Sequence, residues 1–335
     1  MSIKVITPGL LTTIQDLGRY GYQKYGVIVS GAMDSHSLRL ANILVGNKEG
    51  EGVLEISLMG PSLQIENDVL LAITGGDLSP IIAGKPVPLW RPVYVKKGSV
   101  LEFGRCKSGC RTYLAVAGGF DIPLVMDSKS TYLRAGIGGF QGRALQVGDV
   151  LKVKNLQEQS LRLLEQLSQK TILHSFVSTS WYIGSSHIPQ DPTHVTIRVM
   201  KGSQFNQFSV ESQQELLHSP FQVTTQSDRM GYRLSGPTIK LAQPLEMISE
   251  AVALGTVQVP PDGNPIILLA DRQSVGGYPK IAQVAMIDIA TVAQTKPGGK
   301  IWFAEITLEE AEELYCAREK DIQNLTVAID LKMRE

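Results

Sequence analysis

VLEISLMGPSLQIENDVLLAIT, residues 53–74, sets the reading of the whole chain. It holds three short apolar runs, VLEISL (53–58), SLQIE (62–66) and VLLAIT (69–74), parted by Met-Gly-Pro and Asn-Asp. Apolar runs this short, bounded by residues that turn a chain, predict strands. The stretch reads as three strands in succession.

The same rhythm continues outward. SVLEFG (99–104), RTYLAVAGG (111–119) and HVTIRVM (194–200) repeat it, and 32 Gly and 17 Pro supply the turns. Such a pattern predicts a mainly β protein built as barrels or sandwiches. Helices are few. Asp34 is placed to cap SHSLRLANILV, in which Leu38, Ala41, Leu44 and Val45 form one apolar stripe and Gly46 ends it. Residues 156–169 predict a second helix, and Thr307 and Glu310 open a third over 307–319 at capping-box spacing.

At 335 residues the chain is long for one core, so two domains are expected. The strand rhythm lapses midway, which gives an N-terminal domain over 1–165, a connector at about 155–185 and a C-terminal domain over 180–335. QDLGRYGY (15–22) and SDRMGYRL (227–234) echo each other across that boundary. A duplicated barrel and the ordinary use of glycine in β-turns both account for the echo.

Lysine plus arginine equals aspartate plus glutamate at 32 each, so no global field draws polyanions or membranes, and no nucleic-acid partner is expected. No apolar run reaches the length of a membrane span, and the N-terminus does not read as a signal peptide. Cys106, Cys110 and Cys316 read as reduced thiols, which predicts a cytoplasmic protein.

The familiar catalytic signatures are missing. There is no phosphate-binding P-loop and no G-x-S-x-G elbow, and GIGGFQGR (136–143) lacks dinucleotide-fingerprint spacing. His36, His174, His187, His194 and His218 are scattered, and CKSGC finds no second cysteine pair, so no metal site is expected.

Three polar clusters on glycine-rich loops remain. The first, over 12–34, holds Gln15, Asp16, Arg19 and Tyr22, with Ser30 and Asp34 ahead of the first helix. Arg19 and the helix amides suit an anion; the plainer reading makes Asp34 a cap, the usual role of such an aspartate, and Arg19 the partner of Asp16. The second, over 227–237, sets Asp228 beside Arg229, a ligand clamp or a satisfied ion pair. The third, over 249–280, crowds Glu250, Gln258, Asp271, Arg272, Gln273 and Lys280 near strand ends, with Gly276-Gly277 permitting close approach. A ligand site and a structural turn are evenly matched there.

Together, QDLGRYGYQKYGVIVSGAMD (15–34), STYLRAGIGGFQGRALQVGD (130–149), SDRMGYRL (227–234) and GTVQVPPDGNPIILLADRQSVGGYPKIAQV (255–284) resemble the biotin-dependent carboxyltransferase family, over about residues 3 to 315. That family includes the C subunits of 5-oxoprolinase (KipA-type proteins), allophanate hydrolase subunit 2-like proteins and the carboxyltransferase region of urea carboxylase. The resemblance implies two tandem cyclophilin-like β-barrel domains with a few short helices. It also implies ATP-dependent opening of 5-oxo-L-proline to L-glutamate by a chain inactive alone, working with the A and KipI-like B subunits of 5-oxoprolinase. ATP with magnesium would then be handled by or with a partner, and self-association is a further expectation.

Two other activities occur in the family: antagonism of a histidine-kinase inhibitor in sporulation control, and carboxyl transfer to urea or a related amide. The sequence carries no lysine-centred AMKM-type biotinylation site, so biotin for such a transfer would arrive on another chain. The family resemblance directs the expected site to the three clusters. Asp271, Arg272 and Lys280 are the catalytic candidates, and Gln258, Gln273, Gly276, Gly277 and Tyr278 share their wall. Asp228, Arg229 and Tyr232 form another wall, with Arg19 or Arg143 on the substrate carboxylate. Ser274-Val275 stands where threonines are common in the family, and valine offers no hydroxyl there.

Overall fold

The computed structural model describes residues 1–170, 174–184 and 194–334. His187 and residues 171–173 and 185 of the expected connector lie outside them. The chain divides into two compact units. One comprises Met1–Arg19, Asp34–Gln190 and Asp321–Glu335; the other comprises Tyr20–Met33 and Asp191–Lys320.

The first unit is built on two six-stranded sheets. One runs Val150–Lys152, Ser2–Thr7, Ser62–Ile65, Val100–Glu102, Ile81–Ile82, Lys85–Pro86 in spatial order. The other runs Phe176–Ser178, Pro92–Val95, Val69–Asp77, Ser108–Val116, Val53–Ser57, Leu11–Gln15. All three runs of the 53–74 stretch are therefore strands, but the middle one belongs to a different sheet from its neighbours. Ile3, Val5, Leu63 and Leu101 of one sheet share a buried cluster with Ile14, Leu54, Ile73 and Leu114 of the other. Helix Ser35–Leu44 packs on Val69–Asp77 and Ser108–Val116, which is why those central strands lack the in–out alternation of a half-exposed sheet. Asp34 caps that helix as expected, accepting from Ser37 N at 2.9 Å, and Gly46 follows it at φ 72°.

The second unit holds a closed seven-stranded barrel. Its order is His194–Lys201, Lys280–Val284, Thr256–Gln258, Ile266–Leu268, Gly231–Ser235, Phe221–Val223, Lys300–Glu305, and the last strand returns to the first in parallel. Ile197, Tyr232, Leu234, Val257, Ile267, Ile281 and Phe303 fill it, joined by Met33 from the Tyr20–Met33 segment. A two-stranded ribbon, Glu250–Ala251 with Val275–Gly276, stands apart from the barrel sheet.

The expectation of two tandem cyclophilin-like barrels with a few short helices is corrected. Among the described residues only the second unit closes a barrel, and five α-helices accompany the sheets. The reason lies at an edge. On its outer side Leu11–Gln15 is met by loop amides, Thr131 N to Ile14 O at 3.0 Å and Leu145 N to Thr12 O at 2.9 Å, so no further strand can pair there. Nor are the helices all short. The Thr307–Glu310 capping box forms as read, but the helix it opens runs Leu308–Arg334, 27 residues.

Candidate functional site

The ladder between Gly231–Ser235 and Ile266–Leu268 sets up the main polar cluster of the second unit. Gly231 pairs with Leu268, and the pairing continues outward through Leu269 N to Met230 O and Asp271 N to Arg229 O, 2.8 Å. Arg229 and Asp271 are thus neighbours by register. Their side chains form a two-point ion pair, Nε to Oδ2 at 2.9 Å and Nη2 to Oδ1 at 3.1 Å, each residue 6% exposed. Asp228 lies in the turn ahead of the strand, its Oδ1 accepting from Met230 N at 2.8 Å as aspartates in turns do.

The Tyr20–Met33 segment closes over this pair. Ser30 Oγ donates to Asp271 Oδ1 at 2.6 Å, and Arg229 Nη2 donates to Gly31 O at 2.5 Å. Ser30 and Gly31 both adopt positive φ, 58° and 91°, which turns the serine hydroxyl and the glycine carbonyl onto the ion pair. All three sequence clusters meet here. A buried ion pair needs all its lone pairs and protons satisfied to offset desolvation, and the serine and carbonyl contribute to that.

Arg272 differs from its neighbour. It is half-buried, its Nε is buried without an acceptor, and Nη1 reaches only Leu269 O at 3.4 Å. Burial pushes the guanidinium below its ordinary range, and the nearby Tyr20 phenol opposes that shift. Gln273 is exposed.

The rest of the third cluster lies elsewhere on the barrel. Gln258 pairs with Ile266 and Lys280, five residues along the ladder from Asp271, on the order of 15 Å at strand rise. Residues 272–279 cross over from one level to the other. There Gln258 Nε2 donates to Tyr278 O at 3.2 Å, and a Cβ on Gly276 would lie 2.6 Å from that nitrogen, so the glycine makes room for the amide. Lys280 Nζ donates to Glu250 Oε2 at 2.8 Å and Ala251 O at 3.1 Å. A Cβ on Gly277 would meet Ser249 Oγ at 3.4 Å, an ordinary contact, and Tyr278 is exposed. Tyr232 is buried in the barrel, its hydroxyl donating to Ala293 O at 3.3 Å.

Arg19 and Arg143 belong to the first unit. Arg19 is fully buried and donates to Val125 O and Ser130 O, both at 2.9 Å. Asp16 accepts from Ser128, Ser130 and the Lys129 amide, so its loop and residues 128–130 form one network. Arg143 grips Asp149 with both terminal nitrogens at 2.7 and 2.8 Å. That grip raises the Arg143 pKa and holds the Asp149 carboxyl below its ordinary range. A cluster the sequence does not signal joins Glu51 to Lys129 and Lys154. Burial pushes the Glu51 carboxyl up, and Lys129, the Gly52 amide and Lys154 together more than offset it. The sequence does not signal Tyr20 either, since nothing within its own segment points to Arg272. Among the described residues no group of three or more His, Cys, Asp or Glu is placed to hold a metal ion.

Comparison with known proteins places this chain among relatives. The family model "Carboxyltransferase domain, subdomain A and B" matches residues 25–305. The chain is 39% identical to the C subunit of 5-oxoprolinase from Haemophilus influenzae, over 96% of both chains. It is 38% identical to the corresponding protein of Escherichia coli, over 92% of this chain and 93% of the other. The crystal structure of Kluyveromyces lactis urea carboxylase superposes with a TM-score of 0.85 at 31% identity, covering 96% of this chain and 29% of that one.

Proposed function

The chain belongs to the carboxyltransferase domain family, and from that premise we propose that it is the C subunit of an ATP-dependent 5-oxoprolinase, opening 5-oxo-L-proline to L-glutamate with the A and B subunits. The observation that carries this reading is a match in length as well as sequence, 96% of this chain against 96% of the Haemophilus protein. The chain spans only 29% of the urea carboxylase it superposes on, so that protein's whole reaction is the second reading.

The chemistry asks for a partner. Nitrogen donates into a lactam carbonyl and leaves its carbon a poor electrophile. Transfer of the ATP γ-phosphoryl group to the lactam oxygen removes that protection. Water then adds to the ring carbon, the C–N bond breaks with nitrogen taking up a proton, and a second water releases phosphate. This sequence has no P-loop to cradle a nucleotide, so we assign ATP to the A and B subunits. Within this chain we assign the substrate to the Arg229–Asp271 end of the barrel. In that role Asp271 is a positioning residue, because its carboxylate is committed to Arg229 and Ser30. Lys280, about five strand residues away, is too distant to share so small a substrate with it.

Reconstitution decides the matter. The full chain mixed with its cognate A and B subunits, ATP and magnesium should release glutamate from 5-oxoproline, and omission of any one of the three proteins should abolish it. No glutamate from the complete mixture overturns the reading. Label passing from bicarbonate, through a biotinylated carrier, into urea would establish carboxyl transfer in its place.

A further inference from the structure

We propose that Arg272 is the anion receptor of this site and takes the carboxylate of the small-molecule ligand; only the ligand's name, 5-oxoproline, rests on the function proposed above. A guanidinium offers five N–H donors in a flat fork that suits a carboxylate. Guanidinium groups withdrawn from water are ordinarily paired, because an unmet buried donor costs free energy. Arg272 Nε is buried with no acceptor, and the other bond made is a long one to Leu269 O at 3.4 Å.

The carboxylate adjacent in sequence does not serve it. Asp271 spends both oxygens on Arg229 and one of them again on Ser30. Arg272 makes no salt bridge with any described residue, and the Tyr20 side chain beside it only opposes the effect of burial. The adjacent residue is rigid, since Asp271 N is bonded to Arg229 O, and Arg272 N itself donates to Leu269 O at 3.1 Å. Half-buried and not sealed, the side chain is within reach of a solute. Desolvated charge, open donors and a held backbone are what a bidentate anion site requires.

The test has two arms. In the first, the full chain is labelled at arginine Nε, and the Arg272 resonance is assigned by its loss in Arg272→Lys. Acetate and 5-oxo-L-proline should shift it, whereas chloride and 2-pyrrolidinone, the lactam without a carboxylate, should not. In the second, the complex with its A and B partners carries Arg272→Met. KM for 5-oxoproline should rise roughly 10- to 100-fold with kcat changed less, as for loss of a charge-assisted hydrogen bond, and Arg272→Lys should recover part of it.

A resonance unmoved by carboxylates together with a wild-type KM in Arg272→Met overturns the proposal and leaves the oxoprolinase reading standing. A carboxylate-dependent shift in a complex that makes no glutamate upholds the receptor and removes the oxoprolinase reading. Weakened assembly of the complex in Arg272→Met, with no shift on adding carboxylates, means that an acidic side chain of a partner fills the place and overturns the small-ligand proposal.

Discussion

Ser30 donates its hydroxyl to Asp271 at 2.6 Å across 241 positions of sequence. The same carboxylate holds Arg229, whose Nη2 returns to the carbonyl of Gly31, next to that serine. A loop, a turn and a strand end thus form one closed ring of polar contacts, and cutting it at different points has different consequences.

Removal of one charge strands the other. Asp271→Ala should destabilise the protein by roughly 3–5 kcal/mol, because Arg229 stays buried without its partner. Arg229→Met combined with Asp271→Ala should recover a good part of that loss. Urea unfolding of the two single variants and the double gives the coupling, and simple additivity would show that the pair is not a unit.

Ser30 separates hydrogen bonding from backbone strain. Ser30→Ala loses a bond to a charged acceptor, about 1.5–3 kcal/mol, and keeps the positive φ. Ser30→Gly loses the same bond but relieves roughly 1 kcal/mol of left-handed strain. Thermal melts should therefore rank wild type above Ser30→Gly and Ser30→Gly above Ser30→Ala.

Gly276 and Gln258 should behave as a pair. A Cβ at 276 meets the Gln258 amide nitrogen at 2.6 Å and forces it off Tyr278 O, a loss of about 1 kcal/mol for Gly276→Ala. Shortening the glutamine removes the clash, so Gly276→Ala should cost little more in a Gln258→Ala background. Chemical denaturation of the four proteins checks this.

Gly138 and Gly136 share a positive φ, 68° and 63°, and differ in space. At Gly138 a Cβ would lie 2.0 Å from Ser130 O, the carbonyl that accepts from Arg19, while at Gly136 nothing stands within 4 Å. Gly136→Ala should cost about 1–2 kcal/mol of strain alone. Gly138→Ala should lose several times more, or fail to accumulate as folded protein, measured by soluble yield and melting temperature.

Acid should reveal the Arg143–Asp149 grip. The Asp149 carboxyl is held below its ordinary range, first by the Arg143 hydrogen bond. A depressed folded pKa gives stability that is present above the unfolded value, about 3.9, and is lost as pH falls through the lower folded value. Urea midpoints recorded downward from pH 5 should fall less steeply in Arg143→Met, whose Asp149 titrates nearer its ordinary value.

Much of the secondary structure is legible because its signals are local. The runs at 53–58, 62–66 and 69–74 are strands, Asp34 caps its helix, and Thr307 with Glu310 starts the last one. Each depends on residues within a few positions. The last helix runs on to Arg334 past its predicted end because no glycine or proline in 320–334 stops it.

The site is legible as three clusters but not as an arrangement. Proximity in sequence puts Asp271 and Lys280 on one wall, yet the parallel crossover between Ile266–Leu268 and Lys280–Val284 carries the chain from one level of the barrel to another. Strand direction is a property of the sheet, and a ten-residue motif does not encode it.

Strand and helix segments, their caps, and the family to which the chain belongs are all written in the order of its residues. That one unit closes a barrel and the other leaves two sheets open is a matter of tertiary contact, since closure depends on whether an edge meets a strand or a loop. Tertiary contact also settles which arginine is spent. Arg229 and Arg272 are alike as residues in the sequence, and one finds a buried carboxylate while the other keeps its Nε unmet. Electrostatic pairing is set by distance in space, which no local pattern specifies.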